Sequence, residues 1–130
     1  MHSRRSILIA TVAASFGALT PAFATSPQPF DDTAFADAQK AEKPILIAIH
    51  ASWCPTCKAQ KPILSDLTAE PKFKDLVYFV VDLDAQKDAV RSFGARVQST
   101  LIAFKGTTET GRSVGDTERS SVAALLNKTL

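Results

Sequence analysis

The chain has 130 residues, with 15 basic and 13 acidic side chains. Arg4 and Arg5 precede an uncharged apolar run from Ile7 to Leu19 and then Ala22-Phe23-Ala24, the pattern of a secretory signal peptide, and the run is shorter than the roughly 20 residues a membrane-spanning helix needs. Residues 1–24 are therefore expected to be cleaved by a general or twin-arginine export route, leaving 25–130 as one domain without a membrane anchor, whose 13 basic and 13 acidic residues form no basic patch for nucleic acid.

Thr25 to Pro29 reads as a short flexible lead. Asp31 or Asp32 can cap a first helix reaching about Ala41, with Ala34, Phe35, Ala38 and Ala41 at helical spacing and Pro44 stopping it. Ile45 to His50 is a short, partly β-branched apolar run, read as a buried strand. A helix from Trp53 to Leu67 begins at the cysteines and is interrupted by Pro62. Val77 to Leu83 is a second buried strand, and Ala85 to Phe93 a short helix closed by Gly94. Thr100 to Lys105 is a third strand and Gly111 to Gly115 a fourth. Thr117 is expected to cap a last helix with Val122, Leu125 and Leu126 on one face. The order predicts an α/β fold in which the first two strands pair in parallel through a crossover. Phe73, Phe79, Phe93 and Phe104 are assigned to the core.

The only two cysteines are Cys54 and Cys57. A disulfide stabilises mainly by closing a long loop in the unfolded chain, and this spacing closes almost none, so the pair is kept for chemistry rather than as a staple. Residues i and i+3 on a helical turn have Cβ atoms about 5 to 6 Å apart, and a disulfide wants about 3.5 to 4.5 Å. A slightly tightened first turn lets such a pair close and reopen. At the helix start, Cys54 meets unpaired N–H groups and the positive end of the helix dipole, which favour thiolate. Cys54 is thus the expected solvent-reachable nucleophile, and Cys57, one turn deeper, the more buried resolving thiol. Pro55 fits the first helical turn, and Thr56 adds no charge. Structural zinc takes about four ligands, and the mature chain has two cysteines and His50, so no metal cofactor is assigned.

Ala51-Ser52-Trp53-Cys54-Pro55-Thr56-Cys57-Lys58, followed by Pro62-Ile63-Leu64, resembles the active-site segment of thioredoxins. The resemblance continues through Val81-Asp82-Leu83-Asp84, Phe93-Gly94-Ala95-Arg96 and Thr100 to Gly106. It implies a thioredoxin-like fold, a central mixed sheet of about four strands flanked by helices. It also implies dithiol exchange with client proteins that carry thiols or disulfides, with no cofactor beyond the Cys54–Cys57 disulfide. An exported, periplasmic monomer is expected, recharged by a transmembrane thiol reductant. Thr56 lacks the histidine that related oxidases often place between their cysteines, which favours a reductant over a disulfide-installing oxidase. A dithiol module for a soft metal such as Cu(I), which two thiolates suit, is the reading from another class.

Three positions depart from the family pattern. Its buried acid falls at Ala48, the lysine partner of that acid at Val80, and the cis-proline facing the cysteines at Ser99. Losing acid and lysine together is coherent, because either alone is an unpaired buried charge. His50 lies two residues after Ala48 and shares its strand face, which makes it a candidate for proton transfer. At Ser99 the Gln98-Ser99 bond is expected to be trans, with the hydroxyl and the added N–H beside Cys54. Trp53 is read as flanking the site, and Asp82 and Asp84 as strand-end residues.

Overall fold

Alternation along three apolar segments builds the molecule. In the computed structural model, which describes Gly17 and residues 25–130, the strands are β1 (Gln28–Pro29), β2 (Pro44–His50), β3 (Val77–Asp82), β4 (Thr100–Lys105) and β5 (Thr108–Val114). The helices are α1 (Asp32–Lys40), α2 (Pro55–Thr68), α3 (Lys87–Ser92) and α4 (Arg119–Asn127). The predicted signal peptide, residues 1–24, lies outside the described residues apart from Gly17. The strands form one mixed sheet in the order β1-β3-β2-β4-β5. The pairs β1/β3 and β2/β3 are parallel, and β2/β4 and β4/β5 antiparallel.

Because side chains alternate across a strand, each of the central strands β2, β3 and β4 feeds two cores. Ile45, Ile47, Ile49, Phe79 and Ile102 face one side, where Phe30, Phe35 and Phe93 cover them from α1, α3 and their flanks. Leu46, Ala48, Tyr78, Leu101 and Ala103 face the other, under Leu64 and Leu67 of α2 and Val122, Leu125 and Leu126 of α4. Burying one such Leu, Ile or Phe contributes about 1.5 to 3 kcal/mol. The four phenylalanines assigned to the core are all buried.

Several local expectations change. The sheet has five strands rather than about four, because residues 28 and 29 pair with Phe79 and Val80. The lead is therefore not free, and Thr25 Oγ1 also donates to the Phe73 carbonyl at 2.9 Å. Asp31 caps α1, its Oδ2 accepting from the Ala34 N–H at 2.8 Å. Helix α2 runs through Pro62, which only forgoes its donor to the Lys58 carbonyl. β5 begins at Thr108, not Gly111, with a register shift at Ala103/Phe104. Gly111 sits under α4, where an added Cβ would lie 3.0 Å from Leu125 Cδ1. Thr117 does not cap α4; the cap residue is Glu118, whose side chain makes no capping bond. Asp116 takes the role instead, accepting from the Glu118 N–H at 3.0 Å and from the Ser121 hydroxyl.

Candidate active site

Strand β2 ends at His50, and five residues later, at Pro55, α2 begins. Cys54 N–H donates to the Ala51 carbonyl at 3.1 Å, and the Cys54 carbonyl accepts from Lys58 N–H at 3.2 Å. Cys54 is the N-cap, in extended conformation, with Pro55 at the first helical position. Its sulfur does what a capping oxygen normally does. The Cys57 N–H donates to Cys54 Sγ at 3.0 Å. A helix N-terminus, with its partial positive charge, is thereby aimed at that sulfur, and both cysteines are free thiols.

The two cysteines differ from the expected order of burial. Cys54 is 1 % exposed and Cys57 4 % exposed. Capping pulls Cys54 into a small cluster with Ala51, Cys57 and Leu83, whereas Cys57 faces a cavity on the other side of the helix start. Burial pushes the Cys57 thiol above its ordinary value, and its hydrogen bond with the Cys54 side chain and the nearby Cys54 charge add to this. Backbone hydrogen bonds at Ala51 and Ser99 pull the other way.

Among the described residues there is no cis peptide bond, so Gln98-Ser99 is trans, and Ser99 takes a left-handed φ of 59°. Such a conformation costs a non-glycine residue roughly 1 to 2 kcal/mol. Its neighbours hold it there: Ser99 N–H donates to the Ile49 carbonyl at 2.8 Å, and its carbonyl accepts from Gly115 N–H at 3.0 Å. The hydroxyl does not reach Cys54 as expected. It turns back to the Gln98 carbonyl at 2.6 Å, because left-handed Asx- and serine-like turns favour bonds to the adjacent backbone.

Gln60 was not singled out by sequence reasoning. It is buried, and its Nε2 donates to the carbonyls of Ser99 at 3.2 Å and Asp116 at 3.0 Å. One amide thus ties α2 to the Ser99 turn and to the cap of α4. The available signal was a polar residue three positions after Cys57, on the inward face of the helix.

Ala48 and Val80 are direct partners in the β2/β3 register, as are His50 and Asp82. Two small or apolar side chains at the first pair leave a cavity of about 370 Å³ between the sheet and α2. Its floor includes buried Ala48, Cys57 and Leu64, its rim exposed Gln28 and Lys61, and His50 and Asp82 line it as well. Trp53 is 57 % exposed, and its Nε1 donates to Asp84 Oδ2 at 2.9 Å. Asp82 closes the strand end, its Oδ1 accepting from the N–H groups of Asp84 and Ala85, each at 2.9 Å. Thr56 is half-buried and Lys58 exposed. Among the described residues no group of three or more His, Cys, Asp or Glu side chains is placed to hold a metal ion. What the arrangement supplies is a dithiol whose two sulfurs have different surroundings, one at a helix terminus and one over a cavity.

The thioredoxin family profile matches residues 26–128. A thioredoxin of Chlamydia muridarum is 35% identical over 84 residues, covering 65% of this chain and 80% of that protein. Protein disulfide-isomerase erp38 of Neurospora crassa is 34% identical over 107 residues, covering 81% of this chain and 28% of that protein. Among solved structures, Trxlp from Edwardsiella tarda EIB202 superposes with a TM-score of 0.75 at 40% identity, covering 78% of this chain and 98% of that one.

Proposed function

This chain belongs to the thioredoxin family and is a thiol-disulfide oxidoreductase, and we propose that it acts outside the cytoplasm as a reductant of client proteins through Cys54 and Cys57. The observation that carries the reading is the Cys57 N–H bond to Cys54 Sγ at 3.0 Å. Cys54 attacks a client disulfide, forming a mixed disulfide and releasing one client thiol. Cys57 then attacks Cys54 Sγ, releases the second client thiol and leaves the Cys54–Cys57 disulfide. Exposed Trp53 beside the nucleophile offers the client an apolar surface.

Export is supported by Arg4-Arg5, the apolar run to Leu19 and Ala22-Phe23-Ala24. In that compartment the reduced form must be regenerated, and a membrane-embedded thiol carrier is the class of partner that can bring the electrons. The protein works as a monomer in this scheme. The reductant direction is supported by Thr56, which offers no positive charge to stabilise the reduced form in the way strong oxidants require. Insulin reduction by the mature chain, together with its potential against glutathione buffers, tests the proposal. A potential below about −200 mV is expected. A value near the −120 mV or so of a strong oxidant would reverse the direction.

A further inference from the structure

The resolution step needs a base, because Cys57 must lose its proton to attack and its surroundings oppose that loss. The cavity on its far side decides where the proton can go. The cavity that Cys57 lines is walled by apolar Ala48, Val80 and Leu64, and the other ionisable groups around it are His50, Lys61, Tyr78 and Asp82. Three of these are poor acceptors. Lys61 carries an ammonium, which only donates, and it stands on the exposed rim. Burial pushes the Tyr78 phenol up to about 12, so it keeps its proton. Asp82 spends Oδ1 on two backbone N–H groups, and a carboxylate is an intrinsically weaker base than an imidazole. No protein hydrogen bond engages the His50 ring among those described, and it is half-buried at the end of β2, on the same strand face as Ala48. Imidazole is the side chain whose proton exchange falls between pH 5 and 8.

We propose that His50 accepts the Cys57 proton across this cavity and returns it during the reverse reaction. The cavity that both residues line, at about 370 Å³, has room for several waters at about 30 Å³ each, so the proton can pass by way of water. The step balances. The Cys57 Sγ–Cys54 Sγ bond forms, the bond from Cys54 Sγ to the client sulfur breaks, and the client sulfur leaves with the electron pair. The Cys57 proton goes to His50 and from there, through water, to the client thiolate. In the opposite direction protonated His50 supplies the proton to the leaving Cys57 sulfur, so the two directions depend oppositely on the protonation of His50. Asp82 is in register with His50 but is not the acceptor.

This inference rests on the dithiol reading above. The test uses the reduced mature chain and the chromogenic disulfide of thionitrobenzoate, followed by stopped flow. The first release of coloured thiol reports Cys54, and the second reports Cys57. In His50→Ala the second phase is expected to slow by roughly 100-fold near neutral pH and to lose the inflection in its pH profile, with the first phase unchanged. Imidazole added to the buffer should restore much of the rate, while Asp82→Asn keeps the inflection. A second phase with parental rate and inflection in His50→Ala overturns the inference. So does a slowed phase that keeps the inflection and ignores imidazole, since that is a packing effect. If the parent protein has no second phase, the dithiol reading falls and takes this inference with it.

Discussion

The backbone N–H of Cys57 donates to the sulfur of Cys54 at 3.0 Å, so the first cysteine of the pair caps the helix that carries the second. The two sulfurs are therefore chemically unequal although both are buried: one receives a helix N-terminus, and the other is held as a thiol by burial and by its neighbour. Cys57→Ser should accumulate mixed disulfides through Cys54, and Cys54→Ser should form none. Non-reducing gels with peptide mapping of a trapped client peptide check this; trapping through Cys57 alone would reverse the assigned roles.

Ser99→Pro should lower the unfolding free energy by about 2 kcal/mol or more. Proline fixes φ near −65°, opposite in sign to the 59° of Ser99, and it deletes the N–H that meets the Ile49 carbonyl. Ser99→Gly, which adopts the left-handed conformation freely, should stay within about 1 kcal/mol of the parent. Urea unfolding with an unchanged slope compares them. If Ser99→Pro is as stable as the parent, the turn has another conformation of equal energy.

Gln60→Leu should cost about 1 to 3 kcal/mol, because it leaves the Ser99 and Asp116 carbonyls without the donor they share. A structural tie of this kind also predicts faster hydrogen exchange at the Gly115 and Glu118 amides. Unchanged exchange at both would mean that Gln60 holds neither turn.

Tyr78 is the only tyrosine in the chain, so tyrosinate absorbance reports it alone. Burial raises its folded value to about 12, above an unfolded value near 10. Its contribution to stability is complete below about pH 10 and is lost as pH rises toward the folded value. Tyr78→Phe should therefore remove part of the alkaline loss of stability, seen as a shallower fall in the urea midpoint. Titration near the ordinary phenol value in the folded protein would mean that the ring is solvated through the cavity it lines.

Much of this could be read from local pattern alone. Ile45 to Ile49, Val77 to Val81 and Thr100 to Phe104 are apolar runs of strand length bounded by breakers, and all became central strands. Asp31, Pro44 and Gly94 mark boundaries that hold, because capping, a missing N–H and a left-handed φ act within one turn of chain. The cysteine pair beside Trp53 was legible for the same reason: its spacing and the helix start are properties of four consecutive residues.

Other features have no local cause. β1 is two residues long and exists only because β3 offers its free edge to Gln28 and Pro29; two residues carry no period. Thr117 is a sound cap by type, but Asp116 already lay where its carboxylate could meet Glu118 N–H and Ser121. That Ser99 turns its hydroxyl to Gln98 and its carbonyl to Gly115 and Gln60 depends on three segments meeting.

The sequence by itself determined the three central strands, the helix capped by Cys54 and the dithiol, because periodicity, capping and i,i+3 spacing are enforced by neighbours a few residues away. Only the tertiary structure decided which cysteine faces open space and which groups share it. The cavity beneath Cys57 is a difference between the volumes that β2, β3 and α2 bring together, with Ala48 and Val80 too small to fill what the backbone encloses. Such a space is set by side chains distant in sequence, so no stretch of local pattern announces it.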